Sequence, residues 1–113
     1  MNLTDSQSPC MICTVISSRR YIDRTEHGIV FEPDNKLCDG HLIIAPLVHV
    51  PDMTSNPVIT AQVMRLAAMR AKPSCTIIIP VGREAMQLHQ HLYVHIYPSP
   101  AVMVSVNKRK GFQ

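Results

Sequence analysis

The sequence predicts an α+β domain, a single antiparallel sheet covered by one main helix. Three observations point there. Short apolar, β-branched runs such as Ile29 to Phe31, His41 to Ala45 and Cys75 to Ile79 are separated by turn residues. A single stretch, opened by Asn56-Pro57, places Ile59, Val63, Leu66 and Ala67 at helical spacing. From His89 the residues alternate: positions 89, 91, 93 and 95 are His, His, Tyr and His, while 92, 94 and 96 are Leu, Val and Ile. In a strand successive side chains point to opposite faces. One face of this segment is therefore apolar and belongs to a core. The other is a row of polar rings.

The elements follow in order. Residues 1–9 are polar and read as a flexible N-terminus. Tyr21 to Asp23 and Ile29 to Phe31 read as two short strands around the Glu26-His27-Gly28 turn. Pro33-Asp34-Asn35 is a loop. His41 to Ala45, entered by Gly40, is a buried strand. Asn56 can cap the free N–H groups of the helix, and Pro57 is tolerated at its first position. The helix stops before Pro73, which disfavours a helical Lys72. Cys75 to Ile79 is a strand, Val81-Gly82 a turn, and Gln90 to Tyr97 the strand with the polar face. Val102 to Val106 adds a further strand. Residues 10–107 form the domain and 108–113 a basic tail. No internal repeat or long linker is visible.

Composition bounds the function. At 113 residues, 46% of them hydrophobic, the chain suits one core, although aromatics are only 4%. No stretch approaches the roughly 18 to 20 apolar residues that span a bilayer. The N-terminus Met1-Asn2-Leu3-Thr4-Asp5 has neither a basic nor an apolar signal region. The expectation is a cytoplasmic protein whose four cysteines are thiols or metal ligands rather than disulfides. The formal charge of +3 is modest. Part of it lies in Lys108-Arg109-Lys110, a solvated end rather than a nucleic-acid interface. No nucleic-acid motif stands out.

Two groups of residues carry chemistry. Neutral imidazoles in a row are costly to bury without partners, and such a row suits a metal, a phosphate or both. Cys10-Met11-Ile12-Cys13 is ambiguous by itself, a zinc half-site or a redox pair. A redox pair of the thioredoxin type needs a βαβ context that the flanking residues do not supply. Zinc needs two further donors, a role histidine fills well. Cys38 and Cys75 fit no such spacing and read as small apolar fillers. His27 reads as a turn residue and His89 as a neighbour of the polar row.

The segment Gln87 to Pro98 resembles the histidine-triad (HIT) motif, a strand of the form His-apolar-His-apolar-His-apolar-apolar. Pro98 and Gln87 set its register, so that His91 is similar to the first triad histidine and His95 to the last. Asp39-Gly40-His41-Leu42-Ile43-Ile44-Ala45-Pro46-Leu47-Val48-His49-Val50 resembles the family's other segment, Gly-His-apolar-apolar-apolar-x-Pro-x-x-His-Val. The resemblance runs from Cys10 to Pro98 and implies a HIT-like fold. It also implies a structural Zn²⁺ on Cys10, Cys13, His49 and His91, with His41 bracing the triad strand. The family binds nucleotides and cleaves or transfers nucleoside monophosphates through the middle histidine.

Here that middle position is Tyr93. The resemblance then places Gln87, His91 and His95 around a nucleoside monophosphate, with Tyr93 and His95 at the catalytic positions. The family's ribose-binding position falls on Pro33, and Asn35, Asp34 and Glu32 are candidate substitutes. Leu88 stands where the family often has Ser or Thr beside the phosphate. Family members commonly form homodimers, and Cys75 to Ile79 with Pro57 to Arg70 are candidate surfaces. Three readings follow: a nucleotide binder with weakened or absent hydrolase activity, an active nucleotidyl hydrolase or transferase, and a zinc-stabilised interaction module.

Overall fold

A computed structural model describes residues 10–98. The predicted N-terminal stretch, the strand over Val102 to Val106 and the basic tail lie outside the described residues. Helix α1 spans Met11–Ser17, strand β1 Asp23–Thr25, β2 Gly28–Phe31 and β3 Leu42–Ala45. Helix α2 (Pro57–Arg70), β4 (Thr76–Ile78), a 3₁₀ turn (Arg83–Ala85) and β5 (Val94–Tyr97) complete the described chain. The five strands form one antiparallel sheet in the order β1-β2-β3-β5-β4. Among the described residues, no helix is long and apolar enough to cross a membrane.

Both faces of the sheet are covered. Val30, Ile44, Leu92, Val94 and Ile96 pack with Val63, Leu66 and Ala67 of α2. Ile29, Phe31, Ile43, Ala45 and Tyr93 pack on the opposite face with Ile12 and Val15 of α1. Strict alternation along β2 and β3 thus feeds two cores. This explains why Gly28–Phe31 is buried at all four positions. The expectation of one main helix is met by α2, and α1 is an addition to it. Asn56 caps α2 as expected, its side chain accepting from Val58 N and Ile59 N, with Pro57 in the first turn. The helix ends at Arg70, and the Arg70 guanidinium meets the Asp23 carboxylate at 2.6 Å, fastening α2 to the edge strand β1.

Two strand boundaries differ from the sequence expectation. The first hairpin strand is Asp23–Thr25 rather than Tyr21 to Asp23. Thr25 pairs with Gly28, so the connection tightens to the two residues Glu26 and His27. Gly28 takes a φ of +147°, and a Cβ there would run into the Ala45 carbonyl oxygen on β3. The second difference is that pairing of the last strand begins at Val94, not Gln90. The β3–β5 register runs Leu42↔Ile96 to Ile44↔Val94, so that, two positions on, Leu92 would face Pro46. Pro46 has no N–H to continue the ladder. Leu92 N instead donates to the Val50 carbonyl at 2.7 Å. Leu92, Val94 and Ile96 nonetheless all reach the α2 face, as the alternation predicts.

Candidate functional site

Cys10 is the N-cap of α1, and its Sγ accepts from Cys13 N at 3.3 Å. A three-residue separation across the first helical turn puts both thiols on one side of the helix. His49 comes from the chain after β3, and His91 from the irregular approach to β5. The four donor atoms all lie within 4.8 Å of one another. Cys10 Sγ is 3.4 Å from His91 Nδ1, and Cys13 Sγ is 3.4 Å from His49 Nδ1. Cys13 Sγ lies 3.6 Å from His91 Nδ1, and the two Nδ1 atoms are 3.2 Å apart. Zinc–ligand lengths of about 2.0 to 2.3 Å in a tetrahedron give N–N edges of about 3.3 Å and N–S edges of about 3.6 Å. The observed spacing is therefore compatible with zinc.

The supporting shell agrees with that reading. His91 is fully buried, and its Nε2 lies 3.0 Å from the Pro46 carbonyl. A carbonyl only accepts, so the ring proton sits on Nε2 and the Nδ1 lone pair faces the sulfurs. Burial holds the imidazole near 4, hence neutral, as a ligand must be. Burial and the adjacent Cys10 push the Cys13 thiol up to about 11. A thiol raised this far becomes a thiolate readily only beside a cation. These residues fit a closed Cys2His2 metal centre.

The polar row continues along the same face, and every member has a partner. Leu37 N donates to His41 Nδ1 at 3.2 Å. His41 therefore carries its proton on Nε2, which faces His95 Nδ1 at 3.0 Å. The proton of neutral His95 is left on Nε2. Burial holds both rings near 4, aided at His41 by Lys36 and at His95 by His41 and His89. His95 stacks on Tyr97 with ring centres 5.3 Å apart, and Tyr93 meets it edge-on at 5.2 Å.

Tyr93 is only 3% exposed. Its hydroxyl accepts the Leu88 N–H at 2.9 Å, and burial pushes the phenol above its ordinary range. Gln87 Nε2 donates to the Pro51 carbonyl at 2.7 Å and to the His89 carbonyl at 2.8 Å. Gln87 Oε1 accepts from Gly82 N at 2.8 Å. The amide thus ties the loop between β4 and β5 to the chain below it. The ring of His89 packs on Tyr93 with centres 5.6 Å apart. Asn35 is exposed in the loop before β3. Two surface hollows lie elsewhere, about 470 Å³ against Arg19, Tyr21 and Arg24, and about 520 Å³ against Asp39, Arg70 and Pro98. Gln87, Tyr93 and His95 line neither.

The structure thus gathers Cys10, Cys13, His49 and His91 into one cluster, and Leu88, Tyr93, His95 and His41 into a second beside the start of β5, while Gln87 is bonded to backbone groups nearby. The Pro46 carbonyl and the Leu88 N–H are backbone participants that residue identity does not reveal. Pro46 carries a faint signal, because a proline ending a buried strand frees the facing chain for other bonds.

No family model and no curated protein matches the sequence. Solved structures do. A HIT family protein from Bacillus anthracis matches with a TM-score of 0.72 and 20% identity over 80% of this chain and 73% of that one. A hypothetical histidine triad nucleotide-binding protein from Sulfolobus tokodaii matches with a TM-score of 0.72 and 19% identity over 80% and 68%. A HIT family hydrolase from Clostridium thermocellum matches with a TM-score of 0.70 and 21% identity over 87% and 93%. At these identities the likeness is one of fold. The chain has the HIT-like α+β fold, with a Cys2His2 cluster close enough to bind a metal ion.

Proposed function

We propose that this protein is a HIT-like nucleotide-binding protein that takes a nucleoside phosphate at the Tyr93–His95 face, with hydrolase activity weakened or absent. The observation that carries the reading is the state of Tyr93. In the position of the family's nucleophile stands a buried phenol whose oxygen already accepts the Leu88 N–H. A nucleophilic imidazole attacks through a nitrogen lone pair in a fixed tautomer. A phenol has a reference pKa of about 10 and offers little phenolate at neutral pH. His95, whose tautomer is set by His41, is the group beside it.

Ligand class is supported by the neighbours in fold, one described as nucleotide-binding and one as a hydrolase. Zinc on Cys10, Cys13, His49 and His91 would be structural, since four protein ligands leave no open position for substrate. It would hold the start of α1 against the chain that follows β3 and the approach to β5.

The test is turnover of an adenosine phosphoramidate. Wild type should remain near background. Tyr93→His should gain activity, because an imidazole there can form the nucleotidyl intermediate next to His95. Efficient wild-type turnover that Tyr93→Phe abolishes would instead make Tyr93 the nucleophile. Failure of every form to bind a nucleotide would leave the zinc-stabilised interaction module.

A further inference from the structure

Most of the hydrogen-bond donors around Tyr93 are already spent within the protein. Both N–H bonds of the Gln87 amide go to backbone carbonyls. The Nε2 of His91 faces the Pro46 carbonyl, and its Nδ1 faces the thiols. His41 Nε2 donates to His95. The Leu88 N–H is taken by the Tyr93 hydroxyl at 2.9 Å. That hydroxyl is itself nearly sealed from water. A donor with an internal partner gives an incoming anion only the difference between two bonds, and displacement would cost a buried hydroxyl one of its bonds.

We infer that the Tyr93 hydroxyl stands where a phosphate oxygen would bind Leu88 N–H, so that the pocket recognises the nucleoside part of its ligand and gains little from the phosphate. The inference rests on the proposed nucleotide-binding function and specifies which portion of the ligand supplies the affinity. Among the ring nitrogens of this face, the N–H of His95 on Nε2 and the ring N–H of His89 are the donors left for the ligand. Two neutral donors suit hydroxyls or carbonyls better than a phosphate dianion, whose desolvation they cannot offset.

Calorimetric titration of wild type and Tyr93→Phe with adenosine, guanosine and their 5′-monophosphates tests this, together with amide exchange at Leu88. Wild type should bind each nucleoside within about threefold of its monophosphate. Tyr93→Phe frees the Leu88 N–H while keeping the ring. It should raise monophosphate affinity about tenfold relative to nucleoside affinity, the size expected for one hydrogen bond to a charged group. The Leu88 amide should exchange faster in Tyr93→Phe and become protected again when the monophosphate is added. A wild type that binds monophosphates about tenfold more tightly than nucleosides, with no gain in the variant, overturns the inference while leaving the nucleotide-binding reading intact. An equal gain for nucleosides and monophosphates also overturns it, because the ring and not the hydroxyl would then be responsible. Absence of binding by all four compounds at millimolar concentration ends both readings.

Discussion

The imidazole pair His41–His95 shows how one residue's chemistry depends on another's backbone. The Leu37 N–H selects the tautomer of His41, and His41 selects that of His95. Both rings are held near 4, mainly by burial, against about 6.5 in an unfolded chain. As pH falls, the unfolded chain takes up these protons first. The associated stability is complete above about 6.5 and is lost as pH drops toward 4. Urea midpoints should therefore fall between about pH 7.5 and about pH 5, and more gently in His41→Gln, which removes one of the three histidines held near 4. An unchanged slope in that variant would contradict the account. At the same scale, Tyr93→His should show turnover of an adenosine phosphoramidate above wild type. His41→Gln placed on that background should lower kcat more than it raises KM, because His41 acts by orienting His95 through their ring–ring hydrogen bond.

Secondary-structure elements are held by a few local devices. Asn56 satisfies two N–H groups at the start of α2. Asn56→Ala should cost about 1 kcal/mol in denaturant unfolding with no change in metal content, since the residue is an exposed cap remote in role from the metal cluster. Gly28 is a harder constraint. It lies at the β1–β2 turn with a positive φ, and any side chain collides with the Ala45 carbonyl in a buried ladder. Gly28→Ala should cost on the order of 2 to 4 kcal/mol, read as a lowered urea midpoint. A loss under about 0.5 kcal/mol would mean that β2 and β3 can part without consequence.

For the whole molecule, the cluster of Cys10, Cys13, His49 and His91 joins segments separated by as many as 81 positions in sequence. A metal there would close that long loop and add its binding free energy to folding. Purified protein should contain about one zinc per chain, and chelation should lower the melting temperature. His49→Ala makes the sharper variant, because His49 is exposed and its loss leaves no core cavity. Its stability should drop by several kcal/mol in the zinc-loaded protein and hardly at all after chelation. Protein prepared without chelator and found free of zinc would refute the assignment. The dimer is a separate expectation. Strand β4 stands at the edge of the sheet with Ile77 exposed, and α2 exposes Val58 and Met69. Light scattering should report twice the chain mass at micromolar concentration.

Periodicity and residue type were enough for much of this protein. The α+β class, the capped and Pro-led α2, the apolar side of Leu92, Val94 and Ile96, and the spacing of the cysteine pair are local properties, written in consecutive residues. The second covering helix was less legible. Met11–Ser17 is one short segment without a long amphipathic repeat, and its best trace lies elsewhere, in β2 and β3 runs that are apolar on both faces. Partnership was decided by tertiary structure. Whether His91 turns its Nδ1 to the thiols depends on the Pro46 carbonyl 45 positions away, and whether Tyr93 is a free phenol depends on the Leu88 N–H. A sequence displays which groups can donate or accept. Which of them meet, and which are thereby consumed, follows only when the sheet register and its irregular ends bring distant backbone within about 3 Å.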